Sequence, residues 1–393
     1  MTTTNRITAT ADLAEPLPCV RDEFNLPPDI CYLNCSYMSP LSAAVESAGM
    51  TGVAQRGRPW EIGADDFFDP AERVRSKFAK LVHGDAEGVA LIPAISYGIG
   101  IAAANTRVQA GQSIVILAEQ FPSNVYPWER LAEEHEATLV RVPYPDDHRL
   151  TDEVLAAINP QTAVVAVPTV HWTTGVRIDL PAVRQRLDEV GGMLVVDASQ
   201  TVGGDIVDVA EARPDFLVTV AYKAMMGPYG LAFLYAGKSQ RRGRPLEEGW
   251  LNRQASDQFA ELLRGNGGYR EGARRYDVGE RASTILLPMA EAALDQLLAW
   301  RVDRVAAANR RLLETVILRG RDLGLSTPDA DLCGANMIGV TLRDQAPTNL
   351  LARLKQENIY VNLRGTRMRV APHVYNNDAD IDRFIEVLKR LLA

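Results

Sequence analysis

The sequence predicts an α/β protein: a large unit built on a mostly parallel mixed sheet flanked by helices, followed by a smaller α+β C-terminal unit. Three observations predict it. Short β-branched runs alternate with helical stretches from about residue 89 to residue 236, the runs are apolar nearly throughout, and beyond about residue 280 long amphipathic helices replace the alternation. Strands that are apolar on both faces and separated by helices belong to parallel sheets covered on both sides.

The elements follow in order. VALIP (89–93) precedes a helix starting near SYGIGIAAANT, and SIVILA (113–118) precedes one through WERLAEEH. TLVRV (138–142), TAVVAV (162–167), MLVVD (193–197) and FLVTVA (216–221) continue the series, and LAFLYA (231–236) is near enough to its predecessor to return antiparallel. TILLPMAEAALDQLLAW and RVDRVAAANRRLLETVILRG have helical periodicity with arginines on the polar face. NMIGVTL, NIYVNL and RMRVA read as short strands, and DADIDRFIEVLKRLLA closes the chain as an amphipathic helix. The expected organisation is a tail at 1–30, a large unit at 31–280 whose N-terminal segment packs on the small unit, and the small unit at 281–393. Disorder is expected only in the tail.

At 393 residues, 47% hydrophobic and 23% charged, the chain has ordinary globular composition and room for a large core. Its net charge of −8 argues against a nucleic acid partner, which needs a concentrated basic surface. The start lacks an apolar run of signal-peptide length, and no later stretch reaches the ~18 apolar residues of a membrane span, so the cytoplasm is the expected location. Cys19, Cys31, Cys35 and Cys333 form neither a disulfide framework nor a zinc pattern, and the five histidines are scattered, so no metal site is expected.

In open parallel sheets, ligands sit beyond the carboxyl ends of the strands, where loops and helix N-termini converge. AISYG follows the first strand; Ser96 there either caps a helix or donates to an anion. Phe121, followed by Pro122, is either a flat wall or an aromatic packed under its loop. Asp197 ends one strand, as a loop partner or as a reacting group. Lys223, in AYKAMMGPYG, follows another, where it either snorkels to the surface or stands buried at a cost. Jointly the four are more specific than any one. Burial lowers a lysine's pKa toward the range in which it is a nucleophile, and an acid, a flat wall and an anion loop nearby fit a pyridine-type ring with a phosphate arm. No GxGxxG follows the first strand, which disfavours a nicotinamide dehydrogenase.

DFLVTVAYKAMMGPYGLAFLY resembles the Schiff-base lysine segment of class V aminotransferase-type, fold-type-I pyridoxal-phosphate (PLP) enzymes, a group that includes kynureninases, isopenicillin N epimerases and cysteine desulfurases. Asp215, Lys223, Gly230 and Ala232 stand at the matching places, and Tyr222, where His, Gln or Arg is usual, resembles the kynureninase branch and implies a phosphate contact. FPSN resembles the segment whose phenylalanine stacks on the ring, implying Phe121, and VVDASQ implies Asp197 at the ring nitrogen and Gln200 near the ring hydroxyl. SYG resembles the phosphate loop, implying the Ile95 backbone and Ser96, while in VHWTTG Trp172 stands where a ring-side asparagine is frequent. CYLNCSYMSP resembles the substrate-side segment, implying Asn34 and Tyr37, and MRVAPHVYNN implies Arg369 for the substrate carboxylate. Arg364 and Arg367 lie close by, and on a strand 367 and 369 face the same side.

RRYDVGERAST resembles the stretch that approaches the partner subunit's phosphate; Glu280 replaces a frequent threonine there, with Arg281 or Ser283 as substitutes. The resemblance implies a cytoplasmic homodimer with shared active sites, binding PLP and acting at Cα or Cβ of an amino acid through an external aldimine, with Lys223 and Asp197 as the catalytic pair. Transamination and C–S lysis or deamination of a cysteine conjugate, as in secondary metabolism, are the readings it favours. Epimerisation and kynureninase-like hydrolysis are alternatives, and a catalytically silent paralogue used for binding is the alternative from another class. YVNLRGTR holds no cysteine, which disfavours desulfuration through a persulfide. Tyr37, Trp60, Tyr126, Trp172 and Trp250 either line a roomy pocket or belong to the core.

Overall fold

The computed structural model describes residues 14–264, 267–342 and 347–392. A two-residue strand β1 (Cys31–Tyr32) precedes the main sheet, whose strands are β2 (Val89–Ile92), β3 (Ser113–Leu117), β4 (Thr138–Val142), β5 (Thr162–Pro168), β6 (Met193–Asp197), β7 (Phe216–Val220) and β8 (Ala232–Ala236). Their order across the sheet is β2-β8-β7-β6-β5-β3-β4. β4, β3, β5, β6 and β7 run parallel, and β8 is antiparallel to both its neighbours, as its short connection to β7 leads one to expect.

The alternation of side chains along each strand feeds two cores. Leu91, Val115, Val165, Val196, Leu217 and Phe233 join one buried cluster, while their neighbours Ile92, Ile116, Val164, Val195, Val218 and Leu234 join the other. Each such side chain contributes about 1.5–3 kcal/mol on burial, so the sheet's position between its helices is strongly determined. On one face Phe78 of the helix Asp69–Leu81 stacks on Phe233, ring centroids 4.1 Å apart. β4 departs from the expected all-apolar pattern: it is an edge strand, and Thr138 and Arg141 are exposed on it.

The C-terminal part begins with the helices Leu286–Trp300 and Val302–Asp322. Strands β9 (Ile338–Thr341), β10 (Ile359–Tyr360), β11 (Asn362–Arg364) and β12 (Arg367–Val370) follow, and the helix Asp378–Leu392 ends it. β11, β12 and β9 form an antiparallel sheet in that order, and β10 pairs with β1. The disorder expected in the tail at 1–30 does not hold from residue 17, where the chain is tied down: Leu17 bonds Arg304 and Val20 bonds Val374 through the backbone; residues 1–13 of that tail lie outside the described residues. Among the described residues no helix is long and apolar enough to cross a membrane.

Candidate active site

All parallel strands point their carboxyl ends to one edge of the sheet, and a cleft opens there. Ile95 comes from the turn after β2, Gln120 and Phe121 from that after β3, Val170 and Trp172 from that after β5, Asp197, Ser199 and Gln200 from the end of β6, and Tyr222 with Lys223 from the turn after β7. Seven of the residues expected from sequence therefore line one cleft: Ile95, Phe121, Trp172, Asp197, Gln200, Tyr222 and Lys223.

A tight turn fixes the lysine. Met226 N–H donates to the Lys223 carbonyl at 2.8 Å, and Gly227 N–H to the Ala221 carbonyl at 2.8 Å. The residue keeps some exposure because it faces the cleft, yet its amino end is desolvated. Burial lowers its pKa from 10.5 to about 8, opposed by the Asp197 carboxylate and assisted by the Arg369 guanidinium. The amine lies 5.8 Å from the centroid of the Phe121 ring and 6.0 Å from that of Tyr222. Asp197, between Pro168 of β5 and Val218 of β7, is 7% exposed and accepts from Ser199 N–H at 2.9 Å. Phe121 and Trp172 make one wall, edge to face, and the indole N–H of Trp172 donates to the Glu119 carbonyl at 2.6 Å.

Ser96 is not a helix cap. The backbone of Ala94 is extended (φ −161°, ψ 162°) and the helix Ile95–Asn105 starts one residue later with no side chain capping it, so exposed Ser96 stands in its first turn. That arrangement leaves backbone N–H groups and a hydroxyl at a helix N-terminus, the usual setting for a phosphate.

The N-terminal segment roofs the cleft's neighbourhood. Ser39 N–H donates to the Tyr222 carbonyl at 3.0 Å, and the Gln200 amide to the Ser36 carbonyl at 3.2 Å. Asn34, buried, bridges to Ala371 next to β12, and its side-chain oxygen has no partner; Tyr37 is exposed. Arg369, 2% exposed, donates to the Trp172 carbonyl at 3.2 Å with its guanidinium 5.7 Å from the indole centroid. Burial and the nearby charge of Arg364 lower its pKa to about 10.

Within the chain Arg281 is buried, with Nε 2.8 Å from Asp277 and Nη1 2.8 Å from the Phe67 carbonyl, and half-buried Ser283 accepts at its Oγ from Leu286 N–H at 3.0 Å at a helix start. Of the five aromatics offered for a pocket, only Trp172 lines this cleft; Trp250 packs against Phe67, Phe68 and Phe259, and Trp60 is 77% exposed. Gln120, Ser199, Pro168, Val170 and Val220 are lining residues that sequence reasoning missed. Gln120 and Ser199 flank named residues within EQFPSN and VVDASQ, and a count of polar side chains in those loops is the signal that finds them.

Three lining side chains carry buried polar atoms without a protein partner: Gln120 Nε2, Ser199 Oγ and Gln200 Oε1. Buried polar atoms are normally paired. Together with an aromatic wall, an uncapped helix start and a desolvated amine near a carboxylate, they fit a flat polar ring with an anionic arm. Fold and cleft define a fold-type-I enzyme whose cofactor is pyridoxal 5'-phosphate, a class the comparisons with known proteins bear out. The family model described as aminotransferase class-V matches residues 61–384, and the chain belongs to that family.

Among relatives, it is 25% identical over 349 residues to the uncharacterized aminotransferase YcbU of Bacillus subtilis, covering 88% of this chain and 89% of that one. It is 30% identical over 298 residues to the kynureninase of Deinococcus radiodurans, covering 72% and 69%. In fold it is similar to a cysteine desulfurase from Thermococcus onnurineus, with TM-score 0.83, 20% identity and coverage of 95% and 97%. The cystine C–S lyase C-DES gives TM-score 0.82 at 16% identity, with coverage of 93% and 98%.

Proposed function

We propose that the chain acts at Cα or Cβ of an amino-acid substrate, with Lys223 holding the cofactor and handling the Cα proton. One observation carries this reading: a lysine amine, 5.8 Å from the Phe121 ring centroid, in a cleft shared with the Asp197 carboxylate and an aromatic wall, where burial lowers its pKa. When bound, PLP supplies an aldehyde for an amine to condense with and an electron sink for charge at Cα. Lys223 is the base and acid at that carbon. Asp197 supplies fixed negative charge for the ring nitrogen, Phe121 a face for the ring, and Gln200 and Trp172 its edges. Ile95 N–H, Ser96 and the Tyr222 hydroxyl are the phosphate's donors. Arg369 takes the substrate carboxylate, with Asn34 and Tyr37 on the substrate side.

Transamination and C–S lysis or deamination are the reactions this reading favours. Persulfide chemistry has little support from the chain: the β11–β12 hairpin carries no cysteine, and burial raises the Cys35 thiol to about 12, far from the thiolate a nucleophile requires. We read the enzyme as a homodimer, supported by large apolar side chains left in water, among them Met50 (74% exposed), Trp60 (77%) and Leu263 (98%).

The test is chemical. Purified protein should be yellow, and borohydride should fix the cofactor on the peptide carrying Lys223, as read by mass. Lys223→Ala should abolish that linkage. Colourless protein indifferent to added PLP would sink the reading and favour a silent paralogue. With amino acids and S-substituted cysteines, pyridoxamine phosphate marks transamination and pyruvate marks elimination.

A further inference from the structure

The β11–β12 hairpin concentrates positive charge. Arg364 lies opposite Arg367 and Asn362 opposite Arg369, so these four side chains share one face while Leu363 and Met368 share the other. Like charges directly opposite on neighbouring strands are destabilising, and Arg369 is almost wholly buried. Among the described residues one anion meets this face: Glu119, 2.5 Å from Arg367, whose guanidinium also lies 5.0 Å from the Tyr144 ring. Among the described residues Arg364 and Arg369 pair with no carboxylate. Arg364 donates to its neighbours, the Asn362 side-chain oxygen and the Leu363 carbonyl at 2.9 Å. Arg369 donates to one carbonyl, and its buried Nε has no acceptor. The charge of Arg364 is felt at Arg369, and that of Arg369 at Lys223, so the positive face extends to the reacting amine. A single α-carboxylate balances one of these two guanidiniums. The second asks for another anion.

We propose that the substrate is an amino acid whose side chain ends in a second anionic oxygen group, with Arg369 taking the α-carboxylate and Arg364 the distal one. This rests on the reading of Lys223 and Arg369 given above, and deepens it by naming the substrate class. Arg364 is thereby a specificity-determining residue.

The experiment uses the PLP-loaded protein and its Arg364→Gln, Arg364→Lys and Arg369→Gln variants, titrated with alanine, aspartate and glutamate by visible absorption. The wild type should half-saturate with a diacid at a concentration about tenfold or more below that for alanine, since charge-assisted hydrogen bonds carry that much. Arg364→Gln should erase this preference, Arg364→Lys should keep part of it, and Arg369→Gln should weaken all three ligands. Calorimetry on the cofactor-free protein supplies a readout independent of the cofactor: succinate should bind more tightly than acetate, and Arg364→Gln should remove the difference. A wild type without diacid preference, or an Arg364→Gln variant that loses alanine and aspartate equally, overturns the proposal. Protein that never develops the cofactor's absorption sinks the Lys223 reading instead, and the succinate titration then decides Arg364 alone.

Discussion

The rings of Phe121 and Trp172 meet edge to face, centroids 5.6 Å apart and planes 72° to one another, although they come from loops after two different strands. Trp172 is anchored to the backbone of the first loop through Glu119, whose carboxylate holds Arg367 of the C-terminal hairpin. The wall is thus braced from both parts of the chain. Phe121 itself is 40% exposed, so it does little for the fold. Phe121→Ala should leave the urea midpoint of the cofactor-free protein nearly unchanged while weakening PLP about tenfold, the scale of one lost aromatic face. A PLP titration followed by absorption checks this; unaltered affinity would mean that the ring is no wall.

Lys223 gives a pH dependence with a definite sign. Its pKa in the folded, cofactor-free protein is about 8 against 10.5 unfolded, so between those values the unfolded chain binds more protons and stability rises with pH. Below pH 8 the burial penalty is present in full, at most about 3 kcal/mol; above 10.5 it is gone. Lys223→Met removes the penalty. The variant should melt above the wild type at pH 7, and that advantage should shrink as pH climbs from 8 to 10.5. A difference in melting temperature that is flat with pH would show a solvated amine.

Much of the fold is legible in the sequence for a simple reason: β-branched runs between helical stretches leave a parallel sheet few alternatives, and Asp197 and Lys223 stand where strand ends converge. The turn that carries the lysine is legible too, because Tyr222 to Gly227 are contiguous in sequence. What was not legible depends on side-chain direction. Arg281 lies within RRYDVGERAST, and nothing in that stretch says that Asp277 will draw it inward; Ser96 looks like a cap until Ala94 is seen extended. The aromatics stayed undecided because size alone does not distinguish Trp172, which reaches the cleft, from Trp250, which packs among phenylalanines. Glu119 gave no sign at all, since its role lies in contacts to residues 172 and 367.

Asp277 is the keystone of a buried charge cluster. Its carboxylate lies 2.8 Å from Arg75 Nη2 and 2.8 Å from Arg281 Nε, with all three side chains fully buried, and it also accepts from Leu91 N–H on β2 at 2.8 Å. Asp277→Asn would take the paired carboxylate from buried Arg281 and leave buried Arg75 with Glu72 alone, 3.3 Å from its Nε. Removing one partner of a buried pair typically costs about 3–5 kcal/mol, far more than breaking any of the exposed pairs on the surface. Urea unfolding should show a loss of that size, against less than about 1 kcal/mol for a control such as Asp152→Asn on an exposed helix turn. Equal small losses would show that water reaches the cluster.

Gly203 connects backbone geometry to the position of the lysine. Its φ is +94°, and a Cβ there would lie 2.6 Å from the carbonyl oxygen of Ala224, the residue after Lys223. Alanine at 203 therefore incurs two costs, the left-handed conformation and a collision with backbone that has no flexible end to yield. Gly111, at φ +80° with open space around it, isolates the first. Gly111→Ala should cost about 1 kcal/mol. Gly203→Ala should cost at least about 1 kcal/mol more and also weaken PLP binding, because relief of the collision requires the turn carrying Lys223 to move. Urea unfolding and a PLP titration of both variants separate the effects; equal stabilities with unchanged cofactor affinity would mean that the 203 and 224 backbones part without disturbing the amine.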